Sequence, residues 1–253
     1  MIESIYRYPV KGLSGEKLDR VVLTVNGVVP GDRAYAFARA GVLFNSDSPS
    51  YLPKTNFLAL VRDEKMASFD TLFNPLTQLL TIFQNECLMI EANLASEKDC
   101  EEVAIFFQNN LGLSPDHRPN VVRATDDSKG FSFSDVPEKA ISFINLATIR
   151  ELGKKIGKKI NPMRFRANIL FESNNAWQEF DWLNREIQIG GAVLYVFAQT
   201  QRCAATMVNP LTASRDINIP KALQENFGHI NMGIYAKVIK DGEINTGDEI
   251  TLR

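Results

Sequence analysis

The sequence predicts a predominantly β protein of the α+β type, with two barrel-like or curved-sheet regions and a few helices. Three observations carry that expectation. Short apolar–polar alternating runs recur through the first and last thirds, separated by the Gly, Pro and Asn residues that tight turns prefer. Only one long segment, 97–111, carries its apolar positions clearly at helical spacing. The chain has 253 residues, 45% of them hydrophobic, enough for a sizeable core.

Residues 2–8 alternate like a strand and lead into the loop "PVKGLSG". The run "LDRVVLTV" at 18–25 passes through Asn26-Gly27 to Val28-Val29, and Pro30-Gly31 supplies a tight turn. Strand character resumes over 33–38 and again at 79–83 and 88–91. Many short strands broken by turns point to a barrel or curved sheet. The helix at 97–111 has Ser96 as N-cap and Gly112 where a helix end takes left-handed geometry. Its face of Cys100, Val103, Ala104, Phe107 and Leu111 makes Cys100 a core residue. A second helix is expected near 146–153, and a short one begins at Pro220. The segment "DDSKGFSFSDVP" at 126–137 reads as a polar loop. Strands return at 164–171, 187–189, 193–198, 232–239 and 249–252, with Gly190-Gly191 as a turn. A soft boundary divides the chain into domains 1–115 and 116–253.

Composition excludes several classes. A formal net charge of -2 argues against a broad nucleic-acid surface, though not against a small basic pocket. The cysteines, Cys87, Cys100 and Cys203, are odd in number and far apart, so no disulfide framework is expected and a reducing compartment is. His117 and His229 offer no zinc-ligand spacing. No signal peptide, membrane anchor or transmembrane-length stretch is evident, which gives a cytoplasmic expectation.

Cationic residues fall at turns and strand ends. Lys11 follows Pro9, Arg33 follows Pro30-Gly31, and Arg202 precedes Cys203. In "RFRAN", period-two alternation would place Arg164, Arg166 and Asn168 on one strand face. Gathered in one cleft, such residues would bind a small, multiply anionic ligand. Taken singly, each is more simply a solvated surface charge. Cys203 reads equally as a small apolar filler or as a thiolate favoured by Arg202. The pair can share a site only if the chain turns there.

The ordered set "YPVKGLSG", "GDR", "FSDVP", "RFRAN", "QRCAAT" with "VNP", "MGIYAKV" and "GEINTGDEI" resembles MOSC-domain proteins that carry an N-terminal MOSC β-barrel domain. The resemblance spans nearly the whole chain and looks nearest the branch of the mitochondrial amidoxime-reducing component and its bacterial relatives. It implies a MOSC N-terminal β-barrel domain over 1–115 and a MOSC β-barrel with a few helices over 116–253. It implies the molybdenum cofactor, a phosphate-bearing molybdopterin whose dithiolene holds the metal. By the resemblance Cys203 ligates molybdenum, while Lys11, Arg33, Arg166, Asn168 and Arg202 bind the cofactor. Asp135 lies near the metal, in water or proton handling. Three positions depart from the family pattern: Ala167 replaces a frequent proline, "NPLTA" at 209–213 replaces an acidic-Pro-x-Thr-Gly run, and "SPSYLPK" replaces a segment that often carries arginine.

The activity this resemblance implies is a molybdenum-dependent oxidoreductase. Its small-molecule substrates would be N-hydroxylated or related N-oxygenated compounds. No flavin or iron–sulfur motif is evident, so electrons would come from a separate ferredoxin, flavoprotein or cytochrome-type partner. The alternative is a sulfur-carrier or cofactor-handling protein with a Cys203 persulfide, independent of pyridoxal phosphate. A third possibility is an anion-binding module without chemistry.

Overall fold

The N-terminal alternation forms β1 (Ile2–Arg7). A bulge between Ile2 and Ser4 resets the pleat, so that Ile2 and Ile5 both face the core. The run at 18–25 breaks at Asp19 into β2 (Glu16–Leu18) and β3 (Arg20–Leu23). The computed structural model describes residues 1–124 and 130–253; the 126–129 part of the expected polar loop lies outside them.

Eight strands make the main sheet. Its order is β15 (Ile250–Leu252), β11 (Glu186–Ile189), β12 (Ala192–Gln201), β13 (Asn231–Lys240), β9 (Ile141–Asn145), β10 (Ile169–Phe171), β1 and β2. All its neighbours pair antiparallel except β9 and β10, which are parallel and joined through α2 (Leu146–Ile156). Strand β3 pairs with β14 (Gly242–Asn245), and β4 (Tyr35–Ala38) with β8 (Asn120–Arg123). A three-stranded sheet holds β5 (Asp70–Asn74), β6 (Leu79–Gln84) and β7 (Cys87–Asn93).

The helix α1 (Glu97–Leu111) starts at Ser96, whose Oγ accepts from the Asp99 amide, and ends at Gly112 with φ 68°. Cys100 packs half-buried against the core that α1 covers. The second helix continues past the expected end to Gly157 (φ 65°), because Gly153 is accommodated inside it. Helix α3 (Ile219–Phe227) carries Pro220 in its first turn.

Burial is distributed over several clusters. Strands β1, β3 and β14 share one core with the last-third strands and Trp182. A second core lies under the three-stranded sheet and α1, and takes in Val208 from the far end of the chain. Helices α2 and α3 cover a third.

One expectation is overturned. Residues 164–168 are not a strand: Pro162–Phe165 form a 3-10 turn and Arg166 is left-handed (φ 50°, ψ 38°). Asn161 caps that turn from its side chain and Pro162 opens it, which outweighs the alternation of "RFRAN". Strand geometry begins only at Ile169.

Candidate functional site

Strand β12 ends at Gln201, and a 3-10 turn at Ala204–Met207 follows immediately. The chain therefore turns where Arg202 and Cys203 needed it to. Both line one cavity of about 470 Å³, together with Lys11, Arg33, Asp135, Arg166 and Asn168. The seven residues singled out by sequence are thus brought together, although they come from five separate loops and turns.

Each cation is held by a distinct local device. Lys11 lies just beyond β1, its amide donating to the Tyr35 carbonyl at 2.9 Å. Its buried Nζ donates to the Phe133 carbonyl at 2.8 Å and to Asp135 Oδ1 at 2.7 Å. Burial pulls the Lys11 ammonium down, against the opposing pull of Asp135. Arg33 is left-handed (φ 51°) just before β4, pairs with the buried Asp32, and donates to the Arg166 carbonyl at 3.0 Å. Burial works against its charge, and Asp32, Asp135 and Tyr8 together outweigh burial, so the guanidinium is raised overall.

Two guanidinium groups lie over the Tyr8 ring, Arg166 at 4.4 Å and Arg33 at 5.0 Å from its centroid. Burial pushes the Tyr8 phenol up to about 12, so it remains a neutral platform. Arg202 donates to the Met232 carbonyl at 2.7 Å and the Phe165 carbonyl at 3.2 Å, and rests over the Phe165 ring. Burial pulls Arg166 and Arg202 down to about 10, still cationic at neutral pH. Among the described residues, each leaves its Nη2 buried without a partner. A buried donor without an acceptor is costly, so these two groups point to a missing anionic ligand.

Other placements differ from the expected roles. The Asn168 side chain is already satisfied: Oδ1 accepts from the Ser142 amide and hydroxyl, and Nδ2 donates to the Tyr6 carbonyl. It shapes the wall by joining β9 to β1. Arg164 lines the cavity but spends its charge on Asp216 at 2.5 Å. For Asp135 burial acts upward, yet Lys11 and Lys54 hold its carboxyl well below the usual carboxylate range. It stands as a carboxylate between two lysines.

Sequence reasoning passed over Lys54, Tyr8, Tyr235 and Glu179. Lys54 Nζ lies 3.2 Å from Cys203 Sγ and 3.7 Å from Asp135 Oδ2. Its signal was the departure at "SPSYLPK". Tyr8 and Tyr235 sit inside quoted motifs, but a neutral ring gives no charge pattern to read. Glu179 is fully buried, accepts from Asn145 and Thr148, and is pushed up by burial. Its position in the unremarkable "AWQEF" gave no signal.

The geometry defines a protein with a thiol at the edge of a cationic, oxygen-acceptor-seeking cleft. Two family models match the chain: the MOSC N-terminal beta barrel domain over residues 1–114 and the MOSC domain over 129–251. The chain belongs to the MOSC family, which is linked to the molybdenum cofactor. It is similar to YiiM from Geobacillus stearothermophilus, with 21% identity, 45% of this chain and 53% of that one covered, and a TM-score of 0.35. The chain thus spans about half of that relative's length. Similarity to the YUAD protein from Bacillus subtilis covers 98% of this chain and 92% of that one, at 14% identity and a TM-score of 0.44. For YiiM from Escherichia coli the values are 15% identity, 45% and 53% coverage, and a TM-score of 0.35. Among curated proteins no match is found. Among the described residues no helix is long and apolar enough to cross a membrane.

Proposed function

We propose that the cleft binds the molybdenum cofactor, with Cys203 as the protein's ligand to the metal, and that the protein is an oxidoreductase acting on N-oxygenated compounds. One observation carries the reading: Cys203 shares a cavity with Arg166 and Arg202, each of which has a buried guanidinium N–H without a partner among the described residues. The donor set fits such a group. Among the described residues no three His, Cys, Asp or Glu side chains gather to cage a bare ion. A metal held by one cysteine must bring further ligands with it, as a dithiolene-bound metal does, and thiolate suits a soft centre.

In this reading Arg166 and Arg202 hold the phosphate, the orphaned N–H groups gaining the charged acceptors they lack. Arg33, fixed by Asp32 and stacked on Tyr8, keeps Arg166 in place through the Arg166 carbonyl. Bound there, the group would supply two-electron oxygen-atom transfer. Asp135 remains anionic and orients the Lys11 ammonium; Lys54 Nζ is the proton-bearing group that reaches the sulfur. Electrons come from a separate electron-transfer protein of ferredoxin, flavoprotein or cytochrome type.

Elemental analysis tests the reading. Protein from a cofactor-competent host is expected to carry close to one molybdenum per chain, and Cys203→Ala to lose it. Molybdenum-free wild type from such a host would sink the proposal. A mass increment of one sulfur at Cys203 would then establish the sulfur-carrier alternative.

A further inference from the structure

The ion pairs of the cleft do not balance beside the thiol. Arg33 takes Asp32, Arg164 takes Asp216, and Lys11 takes Asp135 at 2.7 Å. Lys54 stands 3.7 Å from the other Asp135 oxygen, beyond hydrogen-bond reach, and donates to Cys203 Sγ instead, at 3.2 Å. Among the described residues, one carboxylate faces the two lysines, which leaves the Lys54 charge uncompensated at the sulfur. The Lys54 side chain is itself 31% exposed, so whatever approaches Cys203 from solvent meets its ammonium.

Lys54 is also held in place. Pro53 precedes it, and it opens a 3-10 turn in which Phe57 donates back to the Lys54 carbonyl at 3.2 Å. Phe57 is buried against Phe133, two residues before Asp135. The backbone carrying the ammonium is thereby tied to the loop carrying the carboxylate. A lysine held by such a loop is a fixed local field rather than a sweeping surface charge.

We propose that Lys54 makes the space beside Cys203 select small oxygen-bearing anions, so that the substrates admitted there are anionic rather than cationic. As a statement about substrates this rests on the function proposed above. As a statement about the site it does not, because the charge imbalance lies among the described residues of the polypeptide itself. An anionic compound gains the Lys54 charge on approach. A protonated amidine-like compound meets like charge at the sulfur, where the nearest carboxylate, Asp135, is already engaged by Lys11; Glu138 lines the same cavity but makes no ion pair with Lys54.

The test uses the full chain from a host that makes no molybdenum cofactor. It is alkylated with iodoacetate and, separately, with iodoacetamide, and the rate at each cysteine is read by mass spectrometry. Both reagents form the same sulfur–carbon bond with loss of iodide and differ in charge, so their rate ratio cancels the intrinsic reactivity of the thiol. Exposed Cys87, on β7, is the reference within the same molecule. The iodoacetate-to-iodoacetamide ratio at Cys203 is expected to exceed that at Cys87 by about fivefold, the effect of one unit charge about 4 Å away in water. Lys54→Met should lose that excess and Lys54→Arg keep it. Equal ratios at the two cysteines of the wild type would overturn the proposal, whether or not Lys54→Met folds. So would an unchanged ratio in folded Lys54→Met. Neither outcome depends on molybdenum, so failure here and failure of the cofactor reading are separate results.

Discussion

Arg202 can lie buried along β13 only because the residue beside it lacks a side chain. Gly233 adopts φ +80°, and a Cβ built there would overlap the Phe143 carbonyl and stand 2.9 Å from Arg202 Nη2. Glycine at this point of "MGIYAKV" therefore serves both the backbone and the guanidinium. Gly233→Ala is expected to cost about 3 kcal/mol, combining an unfavourable dihedral with a backbone clash. It should also displace the one Arg202 nitrogen left free for a ligand. Thermal unfolding measures the first effect and phosphate or molybdenum content the second. A variant within about 0.5 kcal/mol of the wild type would show that β13 yields without strain. The residue-scale reading of the site was accurate for charge and blind to what holds charge in place. Lys11, Arg33 and Arg202 announced themselves as cations at turns, whereas Tyr8, Gly233 and Glu179 act through stacking, space and burial. None of those three properties is a pattern in a single sequence.

The loop after Cys203 shows how an element survives a change of residues. The resembled family has an acid and a glycine where this chain has Asn209 and Ala213. Asn209 Oδ1 accepts from the Leu211 amide at 2.9 Å, and Nδ2 donates to Asp216 at 2.7 Å, so the turn keeps an acceptor at its start. Ala213 occupies the left-handed region at φ 52°, where glycine is at ease and alanine is not. Ala213→Gly should therefore stabilise the protein by about 1 kcal/mol, part of the released strain being offset by the greater freedom of glycine when unfolded. Urea denaturation checks this, and a destabilised variant would mean that the alanine methyl contributes packing which outweighs the strain. Elements were legible from sequence in proportion to how local their causes are. α1 was readable end to end, because Ser96, Gly112 and the apolar spacing all lie within it. The strand expected at 164–168 failed because the Asn161-Pro162 start of a turn lies just outside the alternating window. Strands β8, β9 and β14 drew no notice, since the pairing that defines them comes from distant segments; β5 pairs locally with β6 but buries Thr71 and exposes Leu72, against the apolar-in alternation.

At the scale of the molecule, the site depends on how the two ends of the chain are fastened to each other. The domain division at 115, drawn from sequence, places β1, β2 and β3 in the first domain, yet their hydrogen bonds run to β10, one another and β14. Cys203 and Lys54, likewise far apart in sequence, face each other, and Arg215 ties their segments together. Its Nη1 donates to the Ala204 carbonyl at 2.8 Å, beside Cys203. Its Nη2 donates to the carbonyls of Leu60 at 3.0 Å and Val61 at 3.1 Å, and to Glu64 at 3.1 Å. One planar fork thus satisfies acceptors from both halves of the chain, a task for which an ammonium has the wrong shape. Arg215→Ala removes every one of those donors at once. With the side chain a quarter exposed, water replaces part of what is lost, and the expected cost is about 2 kcal/mol. Arg215→Lys should recover little of it. The site should respond as well: with the clamp gone, the excess of iodoacetate over iodoacetamide at Cys203 should shrink even though Lys54 is still present. If Arg215→Ala lost stability but kept that excess, Lys54 would be positioned by its own turn and the Phe57–Phe133 contact alone. If neither changed, the two halves would be held by their shared cores and the clamp would be redundant.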